Sequence, residues 1–196
     1  MLAIPAPMLA THGGKPFTNA EWIYEVKYDG YRCMARAGGG HPTELRTKSG
    51  VDCTKWFPEV AQLLASLPGG PHVIDGEACV LDGTGRSNFE ALQQRARRRR
   101  WYPECEPATL CAFDLLYADG RNVMGLPLLE RKAILQQLLQ PVVPQLVIVA
   151  QLPAEAAVFE DLVHPVYAPG VVAKRLASPY LPGVRTREWL KLKRPV

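Results

Sequence analysis

Lysines and carboxylates carry most of the chemistry open to this chain, and the stretch Glu25-Val26-Lys27-Tyr28-Asp29-Gly30-Tyr31-Arg32 sets several of them close together. From Trp22 to Tyr28 the pattern has period two. It places Trp22, Tyr24, Val26 and Tyr28 on one face of a strand and Glu25 and Lys27 on the other. Asp29-Gly30 between two such runs predicts a two-residue hairpin, in which Tyr28 faces Tyr31 and Lys27 faces Arg32. A neighbouring cation disfavours an ammonium, and a lysine that sheds its proton near neutrality is a nucleophile. The same residues also fit a solvated hairpin face on which Glu25 neutralises Lys27, since structural charge networks are common.

Other stretches could serve such a nucleophile. Trp189-Leu190-Lys191-Leu192-Lys193 puts both lysines on one strand face, as a phosphate cradle requires and as an exposed edge strand also allows. Asp75 and Glu77 share a face, either as paired metal ligands or with Glu77 alone bonding a hydroxyl group. Phe113, inside an apolar run, fits an ordinary core position. The arginines from Arg95 to Arg100 suit the C-terminal end of a helix by its dipole, and they equally suit a duplex by its phosphates.

Strand patterns bounded by Gly or Pro cover Trp22–Tyr28, Tyr31–Ala37, Glu44–Thr47 and Val73–Leu81. They return at Thr109–Tyr117, Gln145–Gln151, Gly170–Lys174 and Glu188–Lys193. Helical patterns cover Lys55–Leu67, Ser87–Arg99, an amphipathic stretch at 128–140, and 154–163. Ser87 and Glu90 have the spacing of a capping box. Early strands with irregularly inserted helices predict an α+β fold built mainly of antiparallel sheets.

The 196 residues are 47% hydrophobic and 21% charged, which suits one domain with a substantial core. No run approaches the roughly 18 apolar residues of a membrane span, and the N-terminus lacks the pattern of a secretory signal. The expected location is cytoplasmic, with no membrane contact. Five cysteines form no C-x-x-C and read as buried free thiols. The net charge of +4 permits a polyanionic partner without requiring one.

"KYDGYR" (27–32) resembles the K-x-D-G-x-R motif of the covalent nucleotidyltransferase superfamily: ATP-dependent DNA ligases, RNA ligases and mRNA-capping guanylyltransferases. Further segments match in the family's order: "LRTKSG" (45–50), "IDGEACVLD" (74–82), "CAFDLLYADG" (111–120), "LPLLERKAIL" (126–135), "GVVAKR" (170–175) and "REWLKLK" (187–193). The wording looks closest to bacterial ATP-dependent DNA ligases, including the ligase modules of end-joining enzymes. The resemblance runs over essentially the whole chain and implies an adenylation domain across 1–196.

By that resemblance Lys27 attacks the α-phosphate of ATP. Glu25 and Arg32 contact the nucleotide, Arg46 contacts nucleotide or nucleic-acid phosphate, Glu77 holds the ribose and Phe113 stacks on the base. Lys174, Lys191 and Lys193 supply positive charge at the phosphates. Mg²⁺ or Mn²⁺ is implied, with Glu77 and Asp114 as candidate ligands. Nicked double-stranded DNA is the implied partner, with Arg46, Arg95, Arg97 and Arg98 as candidate contacts; the protein is expected to act as a monomer, with other repair proteins as further partners.

Two departures from the family pattern stand out. Its fourth motif normally begins Glu-Gly, whereas this chain has Pro169-Gly170, which removes a carboxylate from the metal site. The sequence also ends at Val196, directly after the fifth motif, with no oligonucleotide-binding barrel, so nick sealing by this chain alone is expected to be weak. A DNA-end-binding module that has lost its metal chemistry is the alternative from a different functional class; an RNA ligase or capping enzyme is the alternative within the superfamily.

Overall fold

The computed structural model describes residues 2–140, 143–163 and 168–193. In chain order the strands are β1 (Leu9–His12), β2 (Trp22–Val26), β3 (Tyr31–Ala37), β4 (Glu44–Thr47), β5 (His72–Val80), β6 (Ala108–Ala118), β7 (Arg121–Asn122), β8 (Leu146–Ile148), β9 (Leu152–Pro153), β10 (Gly170–Arg175) and β11 (Arg185–Lys193). The helices are α1 (Pro58–Ala65), α2 (Phe89–Arg97), α3 (Leu128–Leu138) and α4 (Ala156–Leu162), with a 3-10 turn at Thr54–Trp56. Among the described residues two sheets form, in the orders β1-β11-β10-β2-β9 and β4-β3-β5-β6-β7, and β8 joins β6. Pairing is antiparallel except at β1–β11 and β6–β8. The expected α+β class with mainly antiparallel sheets is borne out.

The Asp29-Gly30 hairpin is not. β2 pairs with β10 and β9 in one sheet, while β3 pairs with β4 and β5 in the other. Asp29-Gly30 is therefore the crossing between sheets, and Lys27 is not a ladder neighbour of Arg32. Gly30 serves close approach here: a Cβ at this position would strike the Ala78 carbonyl and come within 2.7 Å of Cys79 Sγ.

Other local expectations shift for identifiable reasons. Phe57 is fully buried between the 3-10 turn and α1, and Pro58 disfavours helical geometry at the residue before it, so the predicted helix from Lys55 divides there. Asn88, not Ser87, caps α2 by accepting from Ala91 N–H at 3.0 Å. Ser87 Oγ instead accepts from Asp29 N–H at 3.0 Å, tying the crossing to the start of α2. The predicted strand over Gln145–Gln151 becomes β8, and the chain then passes to the other sheet at β9. α3 is less simply amphipathic than its pattern indicated, because its buried face carries Arg131 and Lys132 beside Leu128 and Leu135.

Helices α1, α2 and α3 cover the outer face of the six-stranded sheet, burying Phe57, Leu64, Ile74, Leu92, Leu110, Leu115 and Leu135. Each such side chain contributes about 1.5–3 kcal/mol relative to exposure. A second cluster, with Met8, Met34, Leu116, Tyr180 and Trp189, lies where the two sheets meet. Tyr24, Phe159, Val171 and Leu192 pack the five-stranded sheet against α4. All five cysteines are free, and Cys105 alone among them is not buried.

Candidate active site

Beyond the inter-sheet core the facing strands part around a cavity of about 1070 Å³. Register explains its chemical lining. Glu25, Val172 and Lys191 stand opposite one another across β2, β10 and β11, and Lys174 stands opposite Trp189 in a second row. Residues in direct opposition share a face, so these polar groups all point into the cavity. The other wall contributes Arg32 from β3, Glu77 from β5 and Phe113 from β6.

Lys27 lies just past β2. Its main-chain N–H donates to the Gly170 carbonyl at 3.0 Å, which extends the ladder by one residue and fixes where the side chain departs. Nζ is 3.6 Å from Asp29 Oδ1, and the side chain remains 23% exposed, so the amine is anchored yet accessible. The expected neutralisation of Lys27 by Glu25 does not occur. Glu25 is buried, with Oε1 2.5 Å from Lys132 Nζ and Oε2 2.6 Å from Lys174 Nζ. Lys174 has this one carboxylate oxygen as its charged partner, which leaves ammonium donors over for the cavity.

Arg32 is bound by Asp75, and its guanidinium carbon lies 4.7 Å from the centre of the Phe113 ring. Lys174 Nζ lies 4.2 Å from the Phe113 ring centre and 4.2 Å from that of Trp189. Glu77 has no ion-pair partner among the described residues. Burial pushes its carboxyl up to about 7; Asp75 and Asp29 add to the rise, while Arg32 and Lys27 oppose it. Burial lowers the Lys174 ammonium from its ordinary range, with Lys132 adding and Glu25 opposing. Lys191 is lowered by burial and then by repulsion from Lys27, Lys48 and Arg185. The cavity is thus crowded with cations and suited to receive phosphate oxygens.

A model of the ATP-dependent DNA ligase domain matches residues 1–193. The chain belongs to that family. The multifunctional non-homologous end joining protein LigD of Mycobacterium bovis is 38% identical over 190 residues, covering 95% of this chain and 23% of that protein. LigD of Pseudomonas aeruginosa is 36% identical over 191 residues, covering 96% of this chain and 22% of that protein. Among solved structures, mycobacterial DNA ligase D complexed with ATP and MES superposes with a TM-score of 0.80 at 36% identity, covering 96% of this chain and 60% of the other. The chain spans about a quarter of the length of these LigD proteins.

The ligase domain gathers Glu25, Lys27, Arg32, Glu77, Phe113, Lys174 and Lys191 around one cavity. Lys193 lies one row farther along, opposite Gly170, exposed and outside the lining. Arg46 sits beside the cavity, paired with Glu44 and donating to the Gly50 carbonyl at 2.8 Å. Asp114 is fully buried, and both of its oxygens accept from Arg131, at 2.7 and 2.9 Å. That corrects its candidacy as a metal ligand. Arg95 is corrected as a DNA contact: it is buried, paired with Glu59 at 2.7 Å, and donates to the Trp56 and Glu106 carbonyls. Arg97 lines the cavity, while Arg98 stacks at 4.0 Å on Tyr102.

Sequence reasoning missed Lys48, Arg185, Trp189 and Lys132, whereas Arg99, which lines the cavity, lies within the arginine run already read as suiting a helix end or a duplex. Arg185, Trp189 and Lys191 share the even spacing of one strand face, so the alternation that singled out Lys191 also pointed to the other two. Lys132 gave no signal, because a lysine on a helix ordinarily reads as solvated.

Proposed function

We propose that this ligase domain transfers AMP from ATP to Lys27 and then to the 5′-phosphate of nicked duplex DNA, for strand joining in repair. The observation that carries this reading is the convergence of Lys27, Glu77, Phe113, Lys174 and Lys191 on one cavity. Lys27 Nζ attacks the α-phosphorus, a P–N bond forms, and the P–O bond to pyrophosphate breaks. The proton leaving Nζ has Asp29 beside it, 3.6 Å away. Lys174 and Lys191 offset charge on the phosphate oxygens. Phe113 offers an aromatic face to the base, and Glu77 an acceptor for a ribose hydroxyl. The 5′-phosphate oxygen of the DNA displaces Lys27 from AMP, and the adjacent 3′-hydroxyl then displaces AMP. We place this activity in the bacterial cytosol and read the protein as a monomer.

The donor set fits a divalent ion only thinly. Of the two carboxylates lining the cavity, Glu25 is engaged by two lysines and Glu77 is free of ion pairs among the described residues. Mg²⁺ or Mn²⁺ would accordingly be held by phosphate oxygens with Glu77 as protein ligand, where it would neutralise charge on the nucleotide. Arg97 and Arg98 are exposed and free of ion pairs among the described residues, and we assign them to duplex phosphates.

Incubation with α-³²P-ATP and Mg²⁺ or Mn²⁺, followed by a denaturing gel, tests the reading. A labelled band that vanishes in Lys27→Ala supports it. No band from a folded protein would favour a DNA-end-binding module, and preference for GTP would favour a capping enzyme.

A further inference from the structure

Helix α3 reaches the floor of the cavity through one side chain that does not itself line it. Lys132 is 4% exposed; its Nζ donates to Glu25 Oε1 at 2.5 Å and to the Val149 carbonyl at 3.2 Å. On the opposite side of the same carboxylate, Glu25 Oε2 faces Lys174 Nζ at 2.6 Å. Lys174, unlike Lys132, lines the cavity.

One buried carboxylate thus lies between two buried lysine amines, and with both amines protonated the trio carries a surplus positive charge. Neutrality alone would need only Glu25 and Lys174. A second buried lysine adds a desolvation cost, which an uncompensated charge inside a fold normally makes prohibitive. The surplus is stabilised when an anion arrives on the side where Lys174 is open. Sharing Glu25 also holds Lys174 in place, since each carboxylate oxygen is committed to one lysine. Without Lys132, Glu25 would neutralise Lys174 alone.

We propose that Lys132 is a positioning residue for the nucleotide's phosphates: by sharing Glu25 it keeps Lys174 fixed and incompletely neutralised for a phosphate group in the cavity. This rests on the nucleotide reading above.

The test separates the two readings by measuring non-covalent binding of ATP and of adenosine, by equilibrium dialysis, in a Lys27→Ala background. Adding Lys132→Met should weaken ATP about tenfold, the scale of one partly screened charge near a phosphate. Adenosine, which has no phosphate, should bind unchanged, and Lys132→Arg should restore ATP. In the chain with Lys27 intact, Lys132→Met should raise the ATP concentration that gives half-maximal labelling. Unchanged ATP affinity in Lys132→Met would overturn the proposal. So would a parallel loss of adenosine, or failure of Lys132→Arg to restore ATP, since either would mark simple damage to the floor. If the Lys27→Ala protein binds neither ligand, the nucleotide reading fails first and the role of Lys132 fails with it.

Discussion

Asp75 on β5 grips Arg32 on β3 with both carboxylate oxygens, at 2.5 Å to Nε and 2.5 Å to Nη2. The Tyr180 hydroxyl donates to Asp75 Oδ2 at 2.6 Å and accepts from Met8 N–H at 3.0 Å, so the N-terminal segment is tied to the same centre. Arg32 Nη2 donates to the Met8 carbonyl at 3.1 Å. Asp75 thereby sets the guanidinium over Phe113 and shapes the floor on which we place the base.

Asp75→Asn should lower stability by about 3 kcal/mol, because it leaves a largely enclosed guanidinium without its counter-charge. Urea denaturation monitored by circular dichroism measures this. A loss below about 1 kcal/mol would show that the pair is no more than a surface bridge in energetic terms.

Glu77 should give the fold an unusual pH dependence. Its carboxyl is raised from 4.5 to about 7 in the folded chain, so between those values the folded state holds a proton that the unfolded state releases. Stability from this group is fully present below that window and declines as pH rises through it. Glu77→Gln should flatten the decline, read from urea midpoints at the two ends of the window; an unaltered profile would assign the titration to other groups.

The arginines from Arg95 to Arg99 should divide sharply by role. Arg95→Ala should destabilise the fold by about 3 kcal/mol, through the space left by a buried side chain, the loss of Glu59's counter-charge and the two carbonyls, of Trp56 and Glu106, that lose their donor. Arg97 and Arg98 are exposed and have no ion pairs among the described residues. Replacing both by alanine should leave the urea midpoint in place and reduce the salt-dependence slope of duplex binding by about 2. Equal slopes for variant and parent would remove them from the DNA surface.

Pro169 is exposed beside Lys27, Asp29 and Ser87 around a smaller cavity of about 370 Å³. Pro169→Glu should raise AMP labelling and reduce the Mg²⁺ needed for it, since an added carboxylate strengthens a thin donor set. A labelling assay across a Mg²⁺ series reads both effects. No gain at any concentration would mean that a carboxylate at this position does not limit metal binding.

The sequence by itself determined the strand faces. Period-two patterning placed Glu25 with Lys27 and Lys191 with Lys193, because side chains alternate along a strand whatever its partner. The ordered motifs identified the family for the same kind of reason, since each is a local string of residue types. Tertiary structure decided which strands meet. Asp29-Gly30 carries a hairpin signal, yet β2 buries its Tyr24 face against α4 beside β10, and β3 buries its own inner face over α1 and α2. Non-local burial outweighs a turn preference, and no local pattern reports it. The same holds for charge: Arg95 and Lys132 look like surface residues in the chain and Asp114 like a metal ligand, and each is buried because a partner elsewhere in the sequence, respectively Glu59, Glu25 and Arg131, compensates it there.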